Sequence, residues 1–123
     1  MAEPRPAVLV VEDEMLVRMS IVDHLEENGF TVFEAANADD AVIVLGDNAH
    51  IRLIFTDVDM PGSMDGLKLA TLVRDRWPPV HIVVTSGHRN VAAEDLPEGA
   101  QFFAKPYNPD RLVDSFSALI ARR

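Results

Sequence analysis

Three observations predict an α/β fold built on a doubly wound, five-stranded parallel sheet. Short apolar runs alternate with amphipathic segments along the whole chain. Most of the runs are too short for a helix, and several are rich in Val, Ile and Phe, as strands buried on both faces tend to be. Strict alternation gives each strand a helical crossover to the next, which parallel neighbours require. Such a sheet sets the carboxyl ends of its strands on one edge, where folds of this kind build their sites.

The strand candidates are Ala7–Val11, Thr31–Glu34, Ile51–Thr56, Val80–Thr85 and Ala100–Ala104. Between them, Val17, Ile21 and Leu25 recur every fourth residue, and Gly29 follows as a stop signal. Ala38, Ala41 and Leu45 form a second stripe, with Asn37 as its N-cap and Gly46 at its end. Leu69, Leu72 and Val73 mark a third, closed by Pro78 and Pro79. The fourth segment, Arg89–Leu96, is weak: its apolar anchors are Val91, Leu96 and two alanines, and Pro97 ends it. The last is the best signalled, with Asn108 as N-cap, Pro109 at the first helical position, then Leu112, Phe116, Leu119 and Ile120.

At 123 residues the chain fits one domain spanning 1–123, with Met1–Pro6 expected as a loose leader. A net charge of −9 argues against nucleic acid as a direct partner, because phosphate contacts need clustered Lys and Arg. Zero cysteines exclude disulfides and thiolate metal sites and fit a cytoplasmic location. The first apolar run, Ala7–Val11, is broken at once by Glu12 and Asp13, so no signal peptide or membrane span is expected there.

Polar residues close four of the five strands: Glu12 and Asp13 after the first, Asp57 at the third, Thr85 and Ser86 at the fourth, Lys105 at the fifth. Parallel geometry brings them to one rim. Taken singly, each has an ordinary role as a helix cap, a turn residue or a solvated charge; together, in this order, they point to a site. VLVVED (Val8–Asp13), FTDVDMPGSMDG (Phe55–Gly66), VVTSG (Val83–Gly87) and FFAKP (Phe102–Pro106) resemble the four signature stretches of response regulator receiver domains, over roughly Ala7 to Ile120. Gly62-Ser63 departs from that pattern by one extra loop residue, and the weak fourth segment departs from it too.

The resemblance implies a flavodoxin-like (βα)5 fold and a signalling switch of a two-component or phosphorelay system. Asp57 would be the phosphoacceptor, its carboxylate attacking a phosphoryl group to give an acyl phosphate. Asp13 and Asp57 would bind Mg²⁺ directly with the Asp59 backbone carbonyl, and Glu12 through a water. The residue types agree, since three crowded carboxylates call for a cation and Mg²⁺ takes carboxylates, waters and phosphate oxygens. Lys105 would supply a charge and Thr85 a hydroxyl to the phosphoryl oxygens, with Ser86 lining the approach. Phe102 stands where receivers carry a switching aromatic, and Lys105–Pro106 is a candidate cis peptide. The implied partners are a sensor histidine kinase or histidine phosphotransfer protein upstream and a protein target downstream. That target would read the face made by the fourth helical segment, the fifth strand and the last helix. No turnover of a separate substrate is expected.

Two alternatives keep the same residues. A haloacid dehalogenase-type phosphatase also uses an Asp-x-Asp strand end, then Thr or Ser, then Lys, with Mg²⁺; Asp57-Val58-Asp59, Thr85 and Lys105 match it superficially. That pattern would normally open the fold on its first strand, however, and be completed by a later acidic pair. The chain could also be a receiver from a hybrid histidine kinase, although Met1 and the complete set of elements favour a single-domain regulator. His88, after the Thr85 turn, reads as a solvated loop residue, while His24, His50 and His81 carry no functional signal. Met60, Met64 and Trp77 read as packing or loop-shaping residues.

Overall fold

The computed structural model describes residues 5–60, 62, 64–87 and 93–121. Five strands, β1 (Ala7–Val11), β2 (Thr31–Ala35), β3 (Ile51–Asp57), β4 (His81–Ser86) and β5 (Gln101–Ala104), form one parallel sheet in the order β2-β1-β3-β4-β5. Among the described residues four α-helices, α1 (Met15–Glu27), α2 (Ala38–Asp47), α3 (Gly66–Arg76) and α4 (Pro109–Ala121), cover it.

The strands alternate their side chains between two cores. Leu9, Val11 and Ile54 face the side closed by Ala41 and Leu45 of α2 and Leu69 and Val73 of α3. Val8, Val10, Leu53, Phe55 and Val83 face Ile21, Val22 and Leu25 of α1 and Leu112, Phe116 and Leu119 of α4. Both faces of β1 are buried, so all five of its residues are apolar, and that is why it reads as an unbroken run. Each fully buried Leu, Ile or Phe contributes about 1.5–3 kcal/mol by leaving water. Met60, Met64 and Trp77 pack against the first core, in keeping with their packing role.

Helix entries follow local chemistry. Asn37 accepts from the Asp40 amide at the start of α2, and Asp65 accepts from the Lys68 amide at the start of α3. Asn108 accepts from the Asp110 amide at 2.9 Å at the start of α4.

One expected element is corrected over its described part. The segment read as a fourth helix, Arg89–Leu96, contains a 3₁₀ turn at Ala93–Asp95, and residues 88–92, with His88, lie outside the described residues. The described part of that segment brings one apolar anchor, Leu96, to the first core, and tertiary packing is what stabilises short helices. Within the loop after β3, Ser63 is outside the described residues, while Gly62 is exposed at φ +114°, a conformation that suits glycine. Pro6 accepts from the Thr31 amide at 3.0 Å, so the expected leader is tied down by its last residue; residues 1–4 are outside the described set.

Candidate functional site

The acidic pair extends the pairing of β1 with β2, because the Glu12 amide donates to the Ala35 carbonyl at 3.1 Å. Glu12 is buried, and its carboxylate accepts from the Glu14 amide at 3.2 Å; Asp13 next to it is exposed. Asp57, at the end of β3, is also buried. One of its oxygens, Oδ1, accepts from the Asp59 amide at 3.1 Å, and Oδ2 accepts from Lys105 Nζ at 2.8 Å. Lys105 Nζ also reaches Glu12 Oε1 at 3.1 Å, so one ammonium bridges the ends of β1 and β3. The Lys105–Pro106 peptide is cis, as the sequence suggested.

Glu12, Asp13 and Asp57 each offer a carboxylate oxygen, all within 4.8 Å of one another. The donor set is all oxygen, the chemistry a hard divalent cation prefers. Burial pushes the Glu12 carboxyl above its ordinary 4.5, against the pull of the Glu14 amide and the Lys105 ammonium, and the Asp57 charge adds to the rise. Burial alone would lower Lys105, but hydrogen bonds to Asp57 and Glu12 outweigh it and hold the ammonium firmly protonated.

At the end of β4, both hydroxyls are engaged away from Asp57. Thr85 Oγ1 donates to the Phe103 carbonyl at 2.6 Å, and Ser86 Oγ donates to Asp59 Oδ2 at 2.7 Å. In the register of β4 and β5, Thr85 stands opposite Phe103 and Val84 opposite Phe102. Phe103 packs on the core of α1 and α4, whereas Phe102 packs on the core of α2 and α3. The direct tie from Thr85 to β5 therefore runs through the Phe103 carbonyl.

Glu12, Asp13, Asp57, Asp59, Thr85, Ser86 and Lys105 thus meet at one edge of the sheet, from four separate strands. Three further residues shape it and were not singled out in the sequence. Tyr107 stacks edge-on against Phe55 at 5.6 Å and lines a small cavity with Glu12, Asp57 and Thr85. Its phenol is pushed up to about 12 by burial, with Lys105 lowering it and Glu12 and Asp57 raising it. Arg18 donates from Nη1 to the Glu12 carbonyl at 2.7 Å. Gly66 opens α3 so close to β3 that a Cβ there would lie 1.9 Å from the Asp57 carbonyl oxygen. The signals were faint: a tyrosine just after Lys105-Pro106, an arginine within helical reach of the acidic pair, and a glycine at a helix start.

Residues 8–117 match the family model of the response regulator receiver domain. A nitrogen assimilation regulatory protein NtrX from Azorhizobium caulinodans is 36% identical over 110 residues, covering 86% of this chain and 24% of that protein. The sensor kinase CckA of Brucella abortus is 32% identical over 120 residues, covering 94% of this chain and 13% of the kinase. The chain therefore spans about a quarter or less of these curated relatives. Among solved structures, a response regulator receiver protein from Sinorhizobium medicae superposes with a TM-score of 0.89 at 26% identity, over 97% of this chain and 98% of that one. The receiver domain of NtrX from Brucella abortus gives 0.85 at 32% identity, over 94% and 99%. The chain belongs to the response regulator receiver domain family. Among the described residues, no helix is long and apolar enough to cross a membrane.

Proposed function

We propose that this receiver domain is a phosphoacceptor switch in which Asp57 takes a phosphoryl group from a phosphohistidine. Supporting this above all is the Lys105 ammonium bridging Asp57 and Glu12 beside the exposed Asp13 carboxylate. A carboxylate oxygen of Asp57 forms the new bond to phosphorus while the bond from phosphorus to the donor imidazole nitrogen breaks, giving an acyl phosphate. Asp13, Asp57 and the Asp59 backbone carbonyl would hold Mg²⁺, with Glu12 acting through a water; the ion supplies neutralisation of the phosphoryl charge. The Asp59 amide orients the acceptor carboxylate, Lys105 keeps a positive charge beside it, and Thr85 and Ser86 offer hydroxyls at the same edge.

Exposed apolar side chains beside the acceptor support a helical phosphodonor. Met15, Leu16 and Met19 of α1 are 61, 78 and 48% exposed, and Leu16, Val17, Tyr107 and Pro109 line a groove of about 310 Å³ there. The donor would be a sensor histidine kinase or a histidine phosphotransfer protein, and the location cytoplasmic. Its downstream reader would be a protein contacting β5, α4 and the segment before β5. The domain would be modified once per donor event, without turnover of a separate substrate.

Intact-mass measurement after incubation with acetyl phosphate and Mg²⁺ tests the assignment. The parent should gain one phosphoryl group and Asp57→Asn none. Full labelling of Asp57→Asn would overturn it, and turnover of a generic phosphate monoester would favour the phosphatase alternative.

A further inference from the structure

We infer that Arg18 is a positioning residue for the metal-binding acidic pair, acting through the Glu12 main chain; this rests on the proposed Mg²⁺ reading. Arg18 lies in α1, where its amide donates to the Glu14 carbonyl at 2.9 Å. Its side chain is only 16% exposed, unusual for a charged helix residue near a surface. The guanidinium divides its donors. Nη1 holds the Glu12 carbonyl at 2.7 Å, and Nε holds Glu34 Oε1 on β2 at 3.1 Å.

A guanidinium is planar and permanently charged, so two acceptors on one fork are fixed relative to each other. The Glu12 carbonyl belongs to the planar peptide that also carries the Asp13 nitrogen and Cα. On its other side Glu12 is held by its own amide, which donates to the Ala35 carbonyl at 3.1 Å. Arg18 therefore sets the tilt of the Glu12–Asp13 peptide and with it the origin of the Asp13 side chain. Asp13 is the exposed member of the carboxylate cluster, so its aim depends on its backbone more than on packing.

A cation so near a metal site also has a field, and a field acting alone would oppose Mg²⁺ binding. Glu34 pairs with the guanidinium at 3.1 Å and offsets part of that charge, which favours the main-chain hold over the field. The two effects predict opposite signs for removal of Arg18, which makes them separable.

The test is a MgCl₂ titration of ¹⁵N-labelled protein, following the Asp13 and Asp59 amides, with acetyl phosphate labelling run in parallel. Arg18→Ala should weaken Mg²⁺ binding about tenfold, as loss of an outer-shell partner does, and Arg18→Lys about threefold, since one ammonium replaces a fork. Saturating Mg²⁺ should bring the labelling rate of Arg18→Ala back to within about twofold of the parent, because the acceptor itself is untouched. A folded Arg18→Ala that binds Mg²⁺ as tightly as the parent, or more tightly, overturns the inference. If Arg18→Ala does not fold, parent-like affinity in Arg18→Lys overturns it. Absence of Mg²⁺-induced shifts in the parent is a different result, which defeats the metal assignment and the inference with it.

Discussion

Substituting Gly66 tests whether the start of α3 is fitted to the acceptor strand. A Cβ on Gly66 would lie 1.9 Å from the Asp57 carbonyl oxygen, 2.7 Å from the Asp57 carbonyl carbon and 2.8 Å from Val58 Cα. All three are backbone atoms that no side-chain rotation can clear. Real Cβ contacts essentially never fall under 3.0 Å, so Gly66→Ala requires α3 and the end of β3 to separate by about 1.1 Å. The hydrogen bond from the Gly66 amide to the Val58 carbonyl, now 3.0 Å, lies across that separation. Overpacking of this kind costs about 1–3 kcal/mol, against at most about 1 kcal/mol of helix propensity gained. The net loss, up to about 2–3 kcal/mol, lowers Tm by up to about 10 °C for a domain of this size. Because the displaced backbone is that of Asp57, phosphorylation by acetyl phosphate should slow by about tenfold or more. Gly46 supplies the control. It lies in α2 with nothing within 4 Å of its added Cβ, so Gly46→Ala should raise stability by about 0.5–1 kcal/mol and leave labelling unchanged. Equal Tm changes for the two variants, or parent-like labelling of Gly66→Ala, would refute the reasoning.

Lys105→Met should lose about 1–2 kcal/mol without metal, less than a fully buried pair because the lysine is 26% exposed; urea denaturation measures it. The same variant should gain more stability from Mg²⁺ than the parent does, since no ammonium competes for Asp57 and Glu12, and an equal gain would count against that competition. Tyr107 is the only tyrosine, so phenolate absorbance reports it directly and should rise near pH 12 instead of 10. Its folded pKa lies above its unfolded one, so the folded state holds the extra proton and stability falls as pH climbs from about 10 toward 12. A titration centred at 10 while circular dichroism still reports a folded chain would contradict the buried placement.

How much of this was legible depended on what each residue touches. Ala7–Val11 could be read to the residue because both faces of β1 are buried, while β4 runs one residue later at each end than the apolar pattern placed it. The α1 stripe named Val17, which is half-buried, and left out Val22, which is buried: the helix faces the sheet at an angle that spacing alone does not fix. Arg89–Leu96 carried only a weak helical spacing, and the described part is a single 3₁₀ turn. The acidic pair, Asp57, Thr85 and Lys105 were legible because parallel topology turns strand ends into neighbours. Arg18 and Gly66 were not, because one acts through a main-chain carbonyl and the other through the absence of a side chain.

The Thr85 hydroxyl ties these observations to signalling through a count of hydrogens. It has one proton, now given to the Phe103 carbonyl at 2.6 Å. A phosphoryl group on Asp57 would offer a charged acceptor at the same edge, and a hydrogen bond to a charged acceptor is roughly twice as strong as a neutral one. Donation to the phosphoryl oxygen must then be lost from Phe103, releasing β5, the edge strand beside β4, from one of its ties. The difference between the two bonds is about 1 kcal/mol, enough to shift an equilibrium by roughly fivefold. Amide NMR with and without beryllofluoride, a stable phosphoryl mimic, reads the change. The parent should show shifts at Phe103 and Ala104 on adding the mimic. Thr85→Ala should show much of that displacement before the mimic is added and little further change afterwards, while Asp57 still accepts phosphate. Phe102, packed on the opposite core, should follow by a smaller amount. Equal mimic-induced shifts at Phe103 in Thr85→Ala and the parent would show that the signal leaves the site by another route.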